Sequence, residues 1–150
     1  MTSNDPSQSD MHTTISRLIP YVHVADVERT LAFYALLGFA VRSTHSAPDG
    51  RTVWANMESR EARIMFAQAS GTITSRDQAV LFYLYCESVA RLRAHLIAHG
   101  VQDGGRFTGQ PGPDDGCRVV FNATHPFYMP AGEVRVHDPD GYVLLIGQLS

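Results

Sequence analysis

The stretch that decides the fold lies near the end of the chain: Glu133-Val-Arg-Val-His137-Asp138-Pro-Asp140-Gly141-Tyr142-Val-Leu-Leu-Ile146. Asp-Pro-Asp-Gly separates two apolar-rich runs and is the strongest hairpin signal in the sequence. Proline presets a turn φ, glycine permits a positive φ, and aspartate side chains can bond the turn backbone. Val134 and Val136 alternate with polar residues, which predicts one dry and one polar face. The polar face, Glu133, Arg135 and His137, must meet water, a metal or a ligand.

Size and composition restrict the class of protein. A chain of 150 residues, 44% hydrophobic and 18% charged, is expected to form one soluble globular domain. A net charge of −3 argues against a nucleic-acid partner, and no apolar run approaches the ~20 residues that span a membrane. The start of the chain lacks the layout of a signal peptide. Two cysteines are too few for a disulfide framework, and Cys86 falls in a predicted buried strand, so we expect a cytoplasmic protein.

A polar segment precedes two copies of one structural pattern. Residues 1–14 are rich in Ser, Thr, Asn and Asp, and we expect a disordered lead-in or a dimer-contacting arm. The remainder, 15–150, is predicted to be a single domain made of two modules, about 15–69 and 78–150. Each module reads as a strand, a helix and then further strands.

The elements of the two modules follow from periodicity and from end signals. In the first module we predict strands at 15–24, 39–44, 52–57 and 62–67, and a helix capped by Asp26 and ended by Gly38. In the second we predict strands at 79–86 and 117–122, the two hairpin arms, and a helix capped by Ser88 and ended by Gly100. Residues 102–116 and 124–131 are predicted to be loops because of their Gly, Pro and Asp content.

The first helix with its flanks reads Asp26-Val-Glu-Arg-Thr-Leu-Ala-Phe33-Tyr34-Ala-Leu-Leu37-Gly38-Phe39. With Asp138-Pro-Asp-Gly-Tyr142 at the far end, the chain resembles the vicinal oxygen chelate superfamily. That superfamily includes glyoxalase I, extradiol dioxygenases, fosfomycin-resistance enzymes and bleomycin-resistance proteins. The resemblance covers residues 15–148. It implies an α+β fold of two βαβββ modules, whose curved mixed sheets surround a cavity with the helices outside, and it implies a homodimer.

Most members of this superfamily use one divalent metal, held by residues of the first and last strand of each module. Aligned on the family's motifs, the ligand positions fall at Ile19, Met65, Leu81 and Leu145, where metal-dependent members have His, Glu or Gln. These apolar side chains offer no imidazole or carboxylate donor. We therefore expect no metal and no cofactor, and an apolar floor suited to a flat or aliphatic ligand.

Strand parity selects the side chains that share the cavity face with these positions. The candidate ligand-binding residues are Tyr21, His23, Trp54, Arg63, Met65, Tyr83, Tyr85, Glu133, Arg135 and His137. Each has an ordinary structural explanation as well. The tyrosines can fill the core if their hydroxyls find partners, Trp54 can pack between sheets, and the hairpin residues can be solvated. Phe121, Phe127 and Tyr128 can form a lid or a dimer contact.

The function expected from these features is capture of a small molecule without a metal, as in the bleomycin-resistance branch, by a homodimer and without catalysis. Its ligand would be an antibiotic or another aromatic natural product, with Glu133, Arg135 and His23 orienting polar groups. The alternative is an enzyme of the same superfamily, a lyase, isomerase or dioxygenase. That enzyme would depend on a metal or use His, Glu or Tyr for acid–base catalysis. A third possibility is a domain without a small ligand that serves in regulation or assembly.

Overall fold

A computed structural model of the protein describes residues 13–74, 79–109 and 116–149. The first module contains β1 (Tyr21–Val24), α1 (Val27–Ala35), β2 (Ala40–Ser46), β3 (Thr52–Ser59) and β4 (Ala62–Gln68). The second contains β5 (Phe82–Cys86), α2 (Val89–Ala98), β6 (Gln102–Gly105), β7 (Val119–Phe121), β8 (Glu133–His137) and β9 (Val143–Gln148). The strands form a four-stranded sheet in the order β1-β4-β3-β2 and a five-stranded sheet in the order β5-β9-β8-β7-β6. The predicted α+β class is confirmed.

One pairing scheme is used in both sheets. The first strand of each module lies parallel to its last strand, β1 beside β4 and β5 beside β9. The neighbours that follow, β4-β3-β2 and β9-β8-β7, are antiparallel. In each module a helix follows the first strand and packs on the sheet. The strand that pairs in parallel with the first strand is the last strand of the module. The repeat of strand, helix and three further strands that the sequence predicted is therefore present twice, with one additional strand, β6, in the second module.

The second module has a strand that the sequence did not predict. We expected residues 102–116 to be a loop, but Gln102–Gly105 pairs in parallel with β7. Gly104 is required here because a Cβ at this position would lie 2.6 Å from both the Phe121 ring and Val119. A glycine that suggested a break in the chain is the residue that lets the edge strand lie close to its neighbour.

Three predicted strands are shorter in the structure, of which β7 covers residues 119–121 rather than 117–122. β1 begins at Tyr21 rather than at residue 15, and β5 begins at Phe82 rather than at residue 79. Pro20 cannot donate to a strand ladder, although its carbonyl accepts from Met65 N at 2.9 Å. Except for residues 13 and 14, the predicted lead-in lies outside the described residues, as does most of the second half of the predicted 102–116 loop.

Both helices begin at the predicted caps, and their last helical residues, Ala35 and Ala98, lie within three residues of the predicted glycines. Asp26 accepts from Arg29 N and Ser88 accepts from Arg91 N, each at 3.2 Å, so each caps a helix N-terminus. Gly38 and Gly100, which end the helices, have φ values of 93° and 92° that disfavour other residues. The helices cover one side of their sheets, and both modules contribute to one hydrophobic core.

The hairpin turn of the second module is tied to the first module through Asp138, which is fully buried. The Tyr34 hydroxyl of α1 donates to Asp138 Oδ2 at 2.8 Å. The backbone N–H groups of Asp140 and Tyr142 donate to Asp138 Oδ1 at 2.9 and 3.0 Å. One carboxylate therefore closes its own turn and binds the helix of the other module.

Two further contacts reinforce this junction. Asp140 accepts from Ala25 N at 3.3 Å and forms an ion pair with Arg29 at 3.2 Å. The Tyr142 hydroxyl donates to the His23 carbonyl at 2.8 Å. The turn between β8 and β9 thus rests on the corner where β1 leads into α1, and it sets the position of one sheet relative to the other.

Replacing Tyr34 by Phe is expected to destabilise the protein by about 1–3 kcal/mol, because the buried Asp138 carboxylate then loses a hydroxyl donor. Tyr142→Phe is the matched control. Its hydroxyl bonds a carbonyl at an exposed site, so we expect a loss of about 1 kcal/mol or less. Urea unfolding followed by circular dichroism measures both values. Equal losses in the two variants would contradict the central role of the Tyr34–Asp138 bond.

The stability of the junction is expected to depend on pH. Burial raises the pKa of Asp138 from 3.8 to about 6, although the hydrogen bond from Tyr34 opposes this shift. The folded protein therefore binds this proton more tightly than the unfolded chain does. The stabilising contribution is complete below about pH 3.8 and is lost as the pH rises through about 6. A shift of this size corresponds to about 3 kcal/mol.

Asp138→Asn isolates this effect because asparagine keeps an acceptor and cannot ionise. Relative to the wild type, the variant is expected to gain up to about 3 kcal/mol of unfolding free energy between pH 4 and pH 7. Urea titrations of both proteins at each pH give the difference. A difference that stays constant over this range would show that Asp138 does not titrate as proposed.

Candidate functional site

The first module presents one sheet face away from its helix, which we call the first face: Tyr21, His23, Trp54, Arg63 and Met65. The strand register places these side chains together. Tyr21 pairs with Met65 across β1 and β4, and Arg63 and Met65 alternate with buried residues of β4. The Tyr21 ring meets His23 edge-on, with 5.7 Å between centroids. The five candidates that the sequence placed on this module thus share one surface.

A row of rings crosses the first face. His23 pairs with Ala67, Ala67 pairs with Trp54, and Trp54 pairs with His45 of β2. The small side chain of Ala67 separates His23 from Trp54, which leaves room for a flat group between them. His45 was not among the predicted residues, because no signal in the sequence showed which residue of β2 would face Trp54.

Charged residues lie at one edge of the first face. Arg63 forms an ion pair with Glu58 at 3.4 Å. It also lines a surface depression of about 330 Å³ together with Ile19, one of the positions aligned with a metal ligand. The full lining is Arg17, Leu18, Ile19, Arg60, Glu61 and Arg63. The depression is open and basic, unlike the aromatic row beside it.

The second module presents a corresponding second face: Tyr83, Tyr85, Glu133, Arg135 and His137. Across β5, β9 and β8, Leu145 pairs with both Tyr83 and Arg135. Gly147 likewise lies between Tyr85 and Glu133. The Tyr83 and Tyr85 rings stand 5.3 Å apart. As predicted, Val134 and Val136 point to the opposite side and are buried in the core.

Glu133 is buried, and both of its oxygens are occupied by tyrosines. Tyr83 donates to Oε2 at 2.6 Å and Tyr128 donates to Oε1 at 3.2 Å. Desolvation and the bond to Glu133 raise the pKa of Tyr83 well above 10. Tyr128 lies in the predicted loop 124–131. Met129 of the same loop packs closely on Gly147, because a Cβ atom added to Gly147 would lie 2.8 Å from Met129 Cε. Part of the second face is therefore covered by this loop.

Arg135 and His137 form a second group on the same strand. Arg135 Nε donates to His137 Nε2 at 2.9 Å, and His137 Nδ1 lies 2.8 Å from the Gly116 carbonyl. Since Nε2 accepts a hydrogen bond, the proton of the neutral ring is on Nδ1 and is donated to Gly116. Desolvation and the nearby Arg135 charge lower the pKa of His137. The imidazole is therefore neutral, and both its nitrogens are engaged.

Phe107 completes this group, although no pattern in the sequence predicted that it would lie on the second face. Its ring centroid lies 3.9 Å from Arg135 Cζ, and the ring also packs edge-on against Phe121 at 5.1 Å. Phe107 follows β6, the strand that was predicted to be loop. Because that strand was missed, the aromatic residue after it could not be assigned to the second face.

The two faces carry no metal-ligand set. Met65 and Leu145 lie on the first and second faces, and Ile19 and Leu81 precede β1 and β5. Among the described residues, no group of three or more His, Cys, Asp or Glu is arranged to hold a metal ion. Aliphatic and thioether side chains do not replace the water of a hard divalent cation. The donors at these positions therefore do not fit the metal of the metal-dependent members.

The two faces are also separate from each other within one chain. Across the ranges that the structure describes, no hydrogen bond, ion pair or ring contact of the ten candidates joins the two faces. Whether the ten residues bind a ligand stays a prediction. Cys86, predicted to be buried, is half-buried. No helix in the described part of the chain is long and apolar enough to cross a membrane.

Comparison with known proteins identifies relatives of this architecture. The family described as the Glyoxalase/Bleomycin resistance protein/Dioxygenase superfamily matches residues 12–146. None of the curated proteins matches the sequence significantly.

Among solved structures, a bleomycin-binding protein complexed with bleomycin is 18% identical, covers 91% of this chain and 100% of its own, and has a TM-score of 0.65. The bleomycin-binding protein of Streptomyces verticillus with copper(II)-bleomycin is 15% identical, covers 92% and 99%, and has a TM-score of 0.61. The fosfomycin resistance protein FosX of Listeria monocytogenes is 12% identical, covers 91% and 96%, and has a TM-score of 0.64. At these identities the likeness establishes a shared fold.

Proposed function

The chain belongs to the glyoxalase/bleomycin resistance protein/dioxygenase superfamily, and we propose that it captures a small, partly aromatic molecule without a metal and without changing it covalently. One observation carries this proposal. The positions aligned with the superfamily's metal ligands are Ile19, Met65, Leu81 and Leu145, which cannot ligate a divalent ion. The positions that hold the metal in other members therefore carry apolar side chains in this chain.

The aromatic side chains of the first face support capture. Tyr21, His23 and Trp54 lie on one face of the sheet, and Tyr21 is about half exposed. Stacking on such rings removes apolar ligand surface from water and adds about 0.5–1.5 kcal/mol for each well-placed ring pair. A planar ligand lying between His23 and Trp54 would meet the small side chain of Ala67 beneath it.

The second face supports capture over acid–base catalysis. A general base needs an accessible lone pair near the reacting proton. Both nitrogens of His137 and both oxygens of Glu133 are already engaged within the protein. The raised pKa of Tyr83 keeps its hydroxyl protonated at neutral pH. Binding requires none of these groups to exchange a proton.

Fluorescence of Trp54, the only tryptophan, tests capture directly. Bleomycin and a panel of planar aromatic antibiotics are titrated into the metal-free protein, and at least one is expected to change the emission saturably. Trehalose, which has no aromatic ring, serves as the negative control. Each ligand is recovered afterwards, and its molecular mass is measured by mass spectrometry.

The capture proposal predicts that the recovered ligand is unchanged and that elemental analysis of untagged protein finds no stoichiometric divalent metal. Conversion of a ligand would establish the alternative, an enzyme of the same superfamily. A tightly held equivalent of metal would show that the alignment of the ligand positions is wrong. Binding to the Trp54→Phe variant is measured by calorimetry, which shows whether the ligand still binds when the tryptophan fluorescence is absent.

We further propose that the protein is a homodimer in which the first face of one copy and the second face of another enclose the ligand. The exposure of large rings supports this arrangement. Tyr85 on the second face is 59% exposed, and Phe127 on the neighbouring loop is 94% exposed. Large exposed apolar side chains gathered at one place are typical of interaction surfaces.

Light scattering of the purified protein is expected to give twice the mass of one chain. Tyr85→Asp places a charge in the second face and is expected to weaken self-association about tenfold or more. His99→Asp at the end of α2 is the matched control and should leave the mass unchanged. A mass of one chain at all concentrations would refute the dimer.

A further inference from the structure

Arg135 on the second face has no counter-ion among the residues that the structure describes. Arg135 donates through Nε to the neutral His137, and its Nη1 and Nη2 atoms have no hydrogen-bond or ion-pair partner within the described ranges. Arg93, a partly buried arginine of α2, is by contrast paired with Asp103. A partly desolvated guanidinium without a carboxylate is costly unless another group supplies the negative charge.

The nearest acidic residue on the same strand does not supply that charge. Glu133 is two residues away on the same face, but its oxygens accept from Tyr83 and Tyr128. It forms no ion pair with Arg135 at 4.0 Å or less. Glu133 and Arg135, the two charged side chains of this strand, therefore do not pair with each other. The Glu133 carboxylate accepts hydrogen bonds from two hydroxyls, whereas the Nη atoms of Arg135 have no partner among the described residues.

The guanidinium is also held in a fixed orientation. Phe107 packs 3.9 Å from its Cζ atom, and His137 accepts from its Nε. The His137 ring is itself anchored on the Gly116 carbonyl. With the Nε edge occupied and one flat side covered by Phe107, the end that carries Nη1 and Nη2 remains available. That end presents two parallel N–H donors, which match the two oxygens of a carboxylate.

The surroundings of this end suit an aromatic acid. Arg135 pairs across the sheet with Leu145, and Leu145 pairs with Tyr83, so an apolar side chain and a phenol ring lie in the same row as the cation. Leu145 is also one of the positions aligned with the superfamily's metal ligands. The second face therefore holds the fixed positive charge of Arg135 next to Leu145, which cannot act as a metal ligand.

We propose that Arg135 is the oxyanion-binding residue of this protein, and that the molecule it captures is an aromatic compound bearing a carboxylate. The inference rests on the proposed capture function and specifies the charge of the ligand. His137 and Phe107 are positioning residues that act through Arg135. Desolvation lowers the pKa of Arg135.

A pair of probes that differ in one group tests the proposal: 2-naphthoate and its uncharged amide, 2-naphthamide. Binding to the full-length protein is measured by calorimetry and by saturation-transfer NMR. The wild type is expected to bind the carboxylate at least about tenfold more tightly than the amide, because hydrogen bonds between two charged groups are the stronger kind. Raising the salt concentration should reduce this preference.

Three variants identify the source of the preference. Arg135→Gln should bind both probes equally, whereas Arg135→Lys, a point charge without the planar fork, should keep part of the preference. Arg91→Gln, on the exposed surface of α2 and outside both faces, removes the same charge and should bind as the wild type does. Thermal melting verifies that each variant is folded, and if Arg135→Gln does not fold, Arg135→Lys and Phe107→Leu replace it.

The possible results separate this inference from the capture function. Equal binding of both probes by the wild type, or a preference that persists in Arg135→Gln, overturns the carboxylate site and leaves capture standing. Loss of the preference in Arg91→Gln would assign it to general charge and also overturns the site. Binding of neither probe overturns the inference, while the fluorescence titrations decide separately whether the protein captures aromatic ligands.

Discussion

A buried carboxylate at the tip of the last hairpin is the interaction on which the arrangement of the two modules depends. Asp138 accepts from two backbone N–H groups of its own turn and from the Tyr34 hydroxyl of the first helix. A buried acid without these donors would cost several kcal/mol. The closed turn and the docking of the second module on the first therefore stabilise each other. Asp140 and Tyr142 extend this contact to the corner between β1 and α1.

This docking uses the helix sides of both sheets, and it leaves the opposite sides for other contacts. The first face keeps the Tyr21 and His23 rings exposed, and the Trp54 side chain makes no hydrogen bond with another described residue. The second face behaves differently because loop residues reach over it. Tyr128 bonds Glu133, Met129 packs on Gly147, and Phe107 packs on Arg135, while the Nη atoms of Arg135 have no partner among the described residues. The charged donors left for a ligand on this face are therefore those of the guanidinium.

Sequence patterns predicted most of the secondary structure because the signals are local. The caps at Asp26 and Ser88, the stops at Gly38 and Gly100, and the hairpin turn all depend on contacts within a few residues. The alternation of Val134 and Val136 with polar neighbours was equally sufficient to assign the two sides of β8. The missed strand, β6, shows the limit of such signals. Gly104 reads as a break by itself, and only the nearby Phe121 ring explains why a glycine belongs in a strand there.

The sequence by itself determined the family, the repeated module and the apolar character of the positions aligned with metal ligands, because each of these is a matter of residue type at a given spacing. It also grouped the candidate residues by face through the two-residue period of a strand. Only the tertiary structure decided what each candidate touches. The partner of Glu133 is Tyr83, 50 residues away, and the support of Arg135 is Phe107, on a segment with no regular pattern. Such contacts arise from how loops pack on a sheet, which no local spacing encodes.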